Sequence, residues 1–176
     1  SENGVLFNKA LTRLIQFPGG LTGSFAIPNS VTNIGNYAFY FCYKLTNVMM
    51  FNAVTSVGDY AFAYCSGLTN VTLGNSFTSI GDAAFVQCAH LISVNGGENV
   101  VSIGNSAFDY CYLLTGVTIG NSVANIGDRA FFFCRGFGNL TIGNSVTNIG
   151  DRAFETCSGL TNVTIGNSVT RVGDYA

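Results

Sequence analysis

The chemistry this chain could offer is concentrated in six cysteines, at 42, 65, 88, 111, 134 and 157, each 23 residues from the next. Thiols can pair as disulfides, hold a metal or act as nucleophiles, and the equal spacing speaks against all three. Residues one period apart fall on successive coils of a stack, with Cα atoms about 5 Å apart but Cβ vectors parallel, whereas a disulfide needs Cβ atoms nearer to about 3.8 Å. A zinc site needs four convergent nitrogen or sulfur ligands at about 2.0–2.3 Å. His90, the single histidine, follows Cys88 by two residues. Nothing orients its imidazole, and the equivalent cysteines of other units lack such a partner. Buried free cysteine behaves as a small hydrophobe. Cys42, Cys65, Cys88, Cys111, Cys134 and Cys157 are therefore expected to form an inert structural thiol ladder, with no metal site and no cofactor.

Other potential ligands recur with the same period. Asp59 and Asp82 stack, as do Asp128, Asp151 and Asp174. Carboxylates about 5 Å apart could share calcium, but that ion wants six to eight oxygens. Asn36 and Asn105 occupy the same column, and Asn caps as well as Asp, so each is expected to cap a helical turn of its own unit. Asn70, Asn139 and Asn162 each open an N-x-T sequon, in a strand column where Asn is the usual residue, and they read as by-products of the repeat. Glycine occurs in every unit, at corners where φ > 0 is expected. No acid pair, nucleophile–base pair or triad emerges, and the chain reads as a non-enzyme.

The elements that position these columns follow from the repeat. Internal repetition at this period means a solenoid. Units open at Ile34, Val57, Ile80, Ile103, Ile126, Ile149 and Val172 and read I-G-[ND]-x-A-F-x-x-C-x-x-L-x-x-V-x-I-x-N-x-V-x-x. The L-x-x-V-x-I stretch alternates as a half-buried strand does, with Val71 and Leu73 inward and Asn70 and Thr72 outward. Gly, then Asp or Asn, then x-A-F-x-x-C reads as a turn and one helical turn, and V-x-x-I as a short second strand. No unit can bury its apolar columns alone, so stacking at about 4.8 Å must make one continuous core. Residues 1–33 form an N-terminal partial repeat, with the β-hairpin that a family resemblance implies, 34–171 six repeats, and 172–176 the start of a truncated seventh.

The array resembles the BspA-like leucine-rich-repeat proteins. The likeness is carried by units such as IGDRAFETCSGLTNVTIGNSVTR at 149–171 and by GVLFNKALTRLIQFPGGLTGSFAIPNSVTNIG at 4–35. The resemblance implies a right-handed, β-rich leucine-rich-repeat solenoid, an α/β superhelix with short helical turns. It also implies an N-terminal hairpin with strands at Val5–Asn8 and Arg13–Phe17. It further implies a secreted or surface-attached protein used in adhesion.

Composition narrows the partners. Charged residues are 9% and hydrophobic ones 48%, against roughly 25% charged in ordinary soluble domains. Net charge is −2 without a basic run, which disfavours nucleic acid and anionic membrane. No stretch is long or apolar enough to span a bilayer and no signal peptide is present. The chain stops within a unit at Ala176, as a piece of a longer array or a mature form would, with targeting signals outside it.

Two surfaces could bind. All eight tyrosines fall in the fourth, seventh, eighth and tenth columns, among them Tyr37, Tyr40, Tyr60, Tyr64, Tyr110 and Tyr112, with Phe41, Phe132 and Phe133 alongside. Tyr-rich, charge-poor surface suits binding because tyrosine gives large contact area at small entropy cost. The alternative is that these rings pack on one another between coils. Thr72, Thr118, Thr141 and Thr164 should form a flat row beside Asn70, Asn139 and Asn162, and a minor reading is an ice-binding face. Met49, Asn95 and Gly116 break its columns. The leading expectation is a non-enzymatic module binding an extracellular protein or glycan at the cell surface. The alternative is a structural protein whose solenoids stack end to end into filaments, because the last unit carries no polar cap.

Overall fold

The computed structural model describes residues 4–117 and 119–176, so Thr118 of the expected threonine row lies outside the described residues. The chain is a β-solenoid. Short strands of the repeat line two faces of the coil, in three sheets, and turns join them. The hairpin pairs β1 (Leu6–Phe7) antiparallel with β2 (Arg13–Gln16), shorter by one or two residues than the sequence suggests. β2 then pairs in parallel with β4 (Asn33–Ile34), and the two-residue strand of every later unit adds in register. These make a nine-stranded sheet. The second face runs from β3 (Gly23–Ala26) to β5 (Leu45–Met49), Asn70–Thr72, Ser93–Asn95 and Gly116–Val117. A separate parallel pair, Asn139–Ile142 with Asn162–Ile165, continues it. The described link between these two parts is one bridge, Ile119 to Ile142. At this seam Gly116, Phe137 and Gly138 replace the usual Asn, Leu and Thr.

The expected helical turns are absent. Residues 58–65 instead form consecutive turns whose amides alternate in direction. Ala61, Ala63 and Cys65 donate back within their own unit, to the carbonyls of Gly58, Tyr60 and Phe62, while Tyr60, Phe62 and Tyr64 donate forward to Asp82, Ala84 and Val86 of the next. A helix would keep all these bonds to itself. The alternation sends half of them to a neighbour, and it repeats along the stack. It requires left-handed backbone in the fourth column (Tyr37, Tyr60, Ala83, Ser106, Arg129, Arg152, Tyr175) and the eighth (Phe41, Tyr64, Gln87, Tyr110, Phe133, Thr156), with φ between 51° and 60°. Each is the third residue of a turn, the place where a type II turn demands φ > 0. Non-glycine residues bear about 1–2 kcal/mol there, which the cross-unit bonds offset.

Glycine of the second column has a different cause from the one expected. None has φ > 0; the preceding coil simply comes too close for a side chain. A β-carbon on Gly81 would lie 2.7 Å from Asp59 Oδ1, 2.7 Å from the Gly58 carbonyl carbon and 2.8 Å from the Asp59 nitrogen. The Asp and Asn column differs from expectation as well. Asp59 Oδ1 accepts from the Asp82 amide at 2.9 Å, Asp82 from Asn105 at 2.7 Å, Asn105 from Asp128 at 2.9 Å and Asp128 from Asp151 at 2.8 Å. Each side chain caps the next unit and not its own.

The core is two ladders side by side. Phe39, Phe62, Phe85, Phe108 and Phe131 are fully buried. From Phe62 to Phe154 their rings stack at 5.1–5.2 Å within 6° of parallel. Phe17 seats on Phe39 at 4.8 Å and begins the ladder. All six cysteines are free and buried.

Gly81→Ala must push backbone of the previous unit aside and should destabilise by about 1–3 kcal/mol or more. Gly138, where a β-carbon meets nothing within 4 Å, should accept alanine neutrally or gain up to about 1 kcal/mol. Urea denaturation of the two variants checks the contrast.

Candidate binding surface

Five of the six cysteines form a hydrogen-bonded ladder. The thiols of Cys65, Cys88, Cys111, Cys134 and Cys157 donate to the carbonyls of Phe39, Phe62, Phe85, Phe108 and Phe131 in the preceding unit at 2.9–3.1 Å. Burial pushes the thiols of Cys88, Cys111 and Cys134 well up, and that of Cys157 to about 12. A thiol so held is protonated at neutral pH and a poor nucleophile. His90 is exposed, and its Nδ1 donates to the Ser66 carbonyl at 2.7 Å. Among the described residues no group of three metal-ligating side chains gathers.

The turn face carries the side chains free to meet a partner. Left-handed backbone in the fourth and eighth columns projects their side chains outward, and in the first two full units those residues are aromatic. Tyr37 and Tyr60 stack at 5.2 Å and 3°, and Phe41 and Tyr64 at 4.7 Å and 6°. Tyr40 stands edge-on between the pairs, 5.5 Å from Tyr37, 4.7 Å from Phe41 and 5.8 Å from Tyr64. These five rings remain 39–51% exposed, with Tyr43 beside them at 56%. The rings pack on each other across coils and still show their outer surfaces. Unit 80–102 interrupts the patch, since its fourth, seventh and eighth columns are Ala83, Val86 and Gln87.

A second cluster differs in character. Tyr110 and Tyr112 are half-buried, and Tyr110 stacks on Phe133 at 5.1 Å. Phe132, grouped with the exposed rings in the sequence, is buried beneath the Arg129 guanidinium, 4.1 Å above its ring. Arg135 lies 4.8 Å from the Phe133 ring. Arg129 also reaches Asp109 at 3.3 Å. Asp109 is a buried acid whose Oδ1 lacks a partner. The sequence did not single out these charges. Their signal was available in the turn columns, where Arg129 and Asp109 replace aromatic or small residues one unit apart.

The strand face is less free than its residue types suggest. Thr72, Thr141 and Thr164 are exposed. The Asn70 amide donates to Asn47 Oδ1 at 3.0 Å, and Ser93 Oγ donates to Asn70 Oδ1 at 2.8 Å. Asn162 donates to Asn139 Oδ1 at 2.9 Å. The asparagines thus satisfy one another between units. The tyrosine patch and the threonine row also lie on different stretches of the coil and do not form one site.

Asp109 makes stability depend on pH. Burial raises its pKa from 3.8 to about 6, with Arg129 opposing the shift. Between those values the folded chain holds the proton more tightly than the unfolded one, so this group's contribution falls as pH rises through that window. Asp109→Asn should remove that slope and leave the protein at least as stable at neutral pH, a relative gain of roughly 1–3 kcal/mol. Urea midpoints of both proteins between about pH 4 and about pH 7 measure it.

Comparison with known proteins agrees with this geometry. A family model described as the BspA-type leucine-rich-repeat region matches in six copies over residues 17–136 and 101–176. A search of curated protein sequences finds no match. Among solved structures, a leucine-rich-repeat protein of T. pallidum is 27% identical with a TM-score of 0.82, over 92% of this chain and 76% of that one. One from Eubacterium ventriosum is 28% identical with a TM-score of 0.90, over 98% and 48%. A leucine-rich cell surface protein of Faecalibacterium prausnitzii is 27% identical with a TM-score of 0.61, over 94% and 53%. The chain thus spans about half the length of the last two. With its 23-residue coil matched by the family model from residue 17 to the last residue, this chain belongs to the BspA-type leucine-rich-repeat family.

Proposed function

We propose that this chain is a non-enzymatic binding module of a secreted or cell-surface adhesin-like protein. It engages an extracellular protein or glycan through the aromatic patch of its first two full units. The observation that carries the reading is the patch itself: Tyr37, Tyr40, Phe41, Tyr60 and Tyr64 are exposed and held rigid by stacking on one another. Rings already ordered lose little entropy when a partner covers them, and aromatic anchors dominate binding energy where they occur. Among the described residues no acid or base is poised for chemistry beside them, and burial holds the thiols of Cys88, Cys111 and Cys134 protonated. Placement at the cell surface rests on family analogy and on the likeness to the leucine-rich cell surface protein of F. prausnitzii.

The test is a panel of immobilised extracellular-matrix proteins and glycans. It is read with the wild-type chain and with a variant carrying Tyr40→Ser and Tyr37→Asn, Tyr60→Asn and Tyr64→Asn, since asparagine tolerates left-handed backbone. Binding should fall by at least about tenfold in the variant, the loss of one or more aromatic anchors. It should persist when Thr141 and Thr164 are changed to Ala. Equal binding by the wild type and the tyrosine variant would refute the reading.

A further inference from the structure

We propose that the outer edge of β3 is a docking site for a single extended segment of a partner protein, added as a parallel strand. β3 pairs with β5, and among the described residues it has no other strand partner. In parallel strands the amide and carbonyl of one residue point to the same side and alternate along the chain. Ile27 donates to the Met49 carbonyl at 2.9 Å. Ser24 and Ala26, two residues apart and out of phase with Ile27, therefore direct their backbone groups away from β5. Both residues are exposed.

Side-chain burial marks the same vacancy. In the column of Phe25, the inward residues of the next three units, Val48, Val71 and Val94, are 0–3% exposed. Phe25 is only partly buried, because among the described residues no strand covers its outer side. An open groove of about 500 Å³ lies there, lined by Val5, Phe7, Phe17, Leu21, Phe25 and Pro28. Ser24 also ends the polar ladder of this face: its Oγ accepts from Asn47 at 3.1 Å and keeps its own hydroxyl proton to donate outward.

The other sheet decides what can occupy the edge. There β1 closes the end antiparallel to β2, so a further repeat could not continue both sheets in parallel register. A lone strand can continue one. Its preferred residues follow from the positions it must face: a polar residue opposite Ser24, an apolar one opposite Phe25, and little charge, since among the described residues no ionisable side chain lines the groove. This is strand addition, in which main-chain bonds give affinity and alternate pockets give specificity.

The probe is a fluorescent peptide, LTNVTIGNS, the sequence of residues 160–168. Met50 donates to the Thr72 carbonyl and Leu73 to that of Asn95. By the same register, the peptide amides equivalent to Val163 and Ile165 should donate to the Ser24 and Ala26 carbonyls. Saturable binding by anisotropy is expected. It should weaken at least about tenfold when those two amides are N-methylated, about 1.4 kcal/mol or more, and survive methylation of the Asn162 and Thr164 equivalents. Ala26→Pro should also abolish it, since proline is tolerated on an edge strand whose N–H faces outward, and the variant's fold is checked by its circular dichroism and melting. Absence of binding, indifference to methylation, the opposite methylation pattern (pairing at the far edge, on residues 162–165) or full binding by a folded Ala26→Pro protein would each overturn the proposal.

Discussion

Each coil depends on the one beside it through a single arrangement of backbone bonds. Along the turn segment every second amide donates to its own unit and the others to the next. A segment wired in this way has no complete set of partners alone. In isolation it would leave half its donors to water and would still bear the cost of the left-handed residues in its fourth and eighth columns. Stacking supplies those partners at strand spacing, and the strands of the two flanking faces hold the register. The cooperativity of the solenoid lies in these bonds as much as in its apolar core.

The identities of the columns follow from that spacing. Glycine occupies the second column because the coil before it leaves no room for a β-carbon, as the contacts at Gly81 and Gly150 show. Asp or Asn follows because its side-chain oxygen reaches the amide of its counterpart one coil on. Phenylalanine stacks on itself at the interval the backbone dictates. Cysteine fits the small space behind it and donates a hydrogen bond to the carbonyl of the previous phenylalanine. Alanine there would leave a void, and a larger side chain would push the ladder apart.

The period, the strands and the buried face were legible from the sequence because they are written in apolar columns of strict spacing, and the hairpin, which lies outside those columns, came from the family resemblance. The turn segment was not legible. Ala38, Phe39 and Cys42 have a spacing that one face of a helix would also show, and Asn36 sits where a cap would. A turn ladder and a helical turn share that pattern and differ only in where alternate amides go, which depends on the neighbour. At the surface, columns told which side chains share a face but not their fates. Tyr40 and Phe132 occupy the same column, yet one stands exposed between stacked rings and the other lies beneath Arg129. The difference lies in the neighbours, Arg129, Tyr110 and Phe133 around Phe132.

Native-state hydrogen exchange across increasing denaturant tests this account most directly. In the central units, the amides of Phe62, Phe85 and Phe108, which bond forward, should share protection and denaturant dependence with those of Cys65, Cys88 and Cys111, which close turns within their own unit. Agreement between the two sets means that the turns exist only while their neighbours do. Own-unit amides that stay protected in openings where the forward-bonding ones exchange would show that each turn is stable by itself, and would contradict the dependence of one coil on the next.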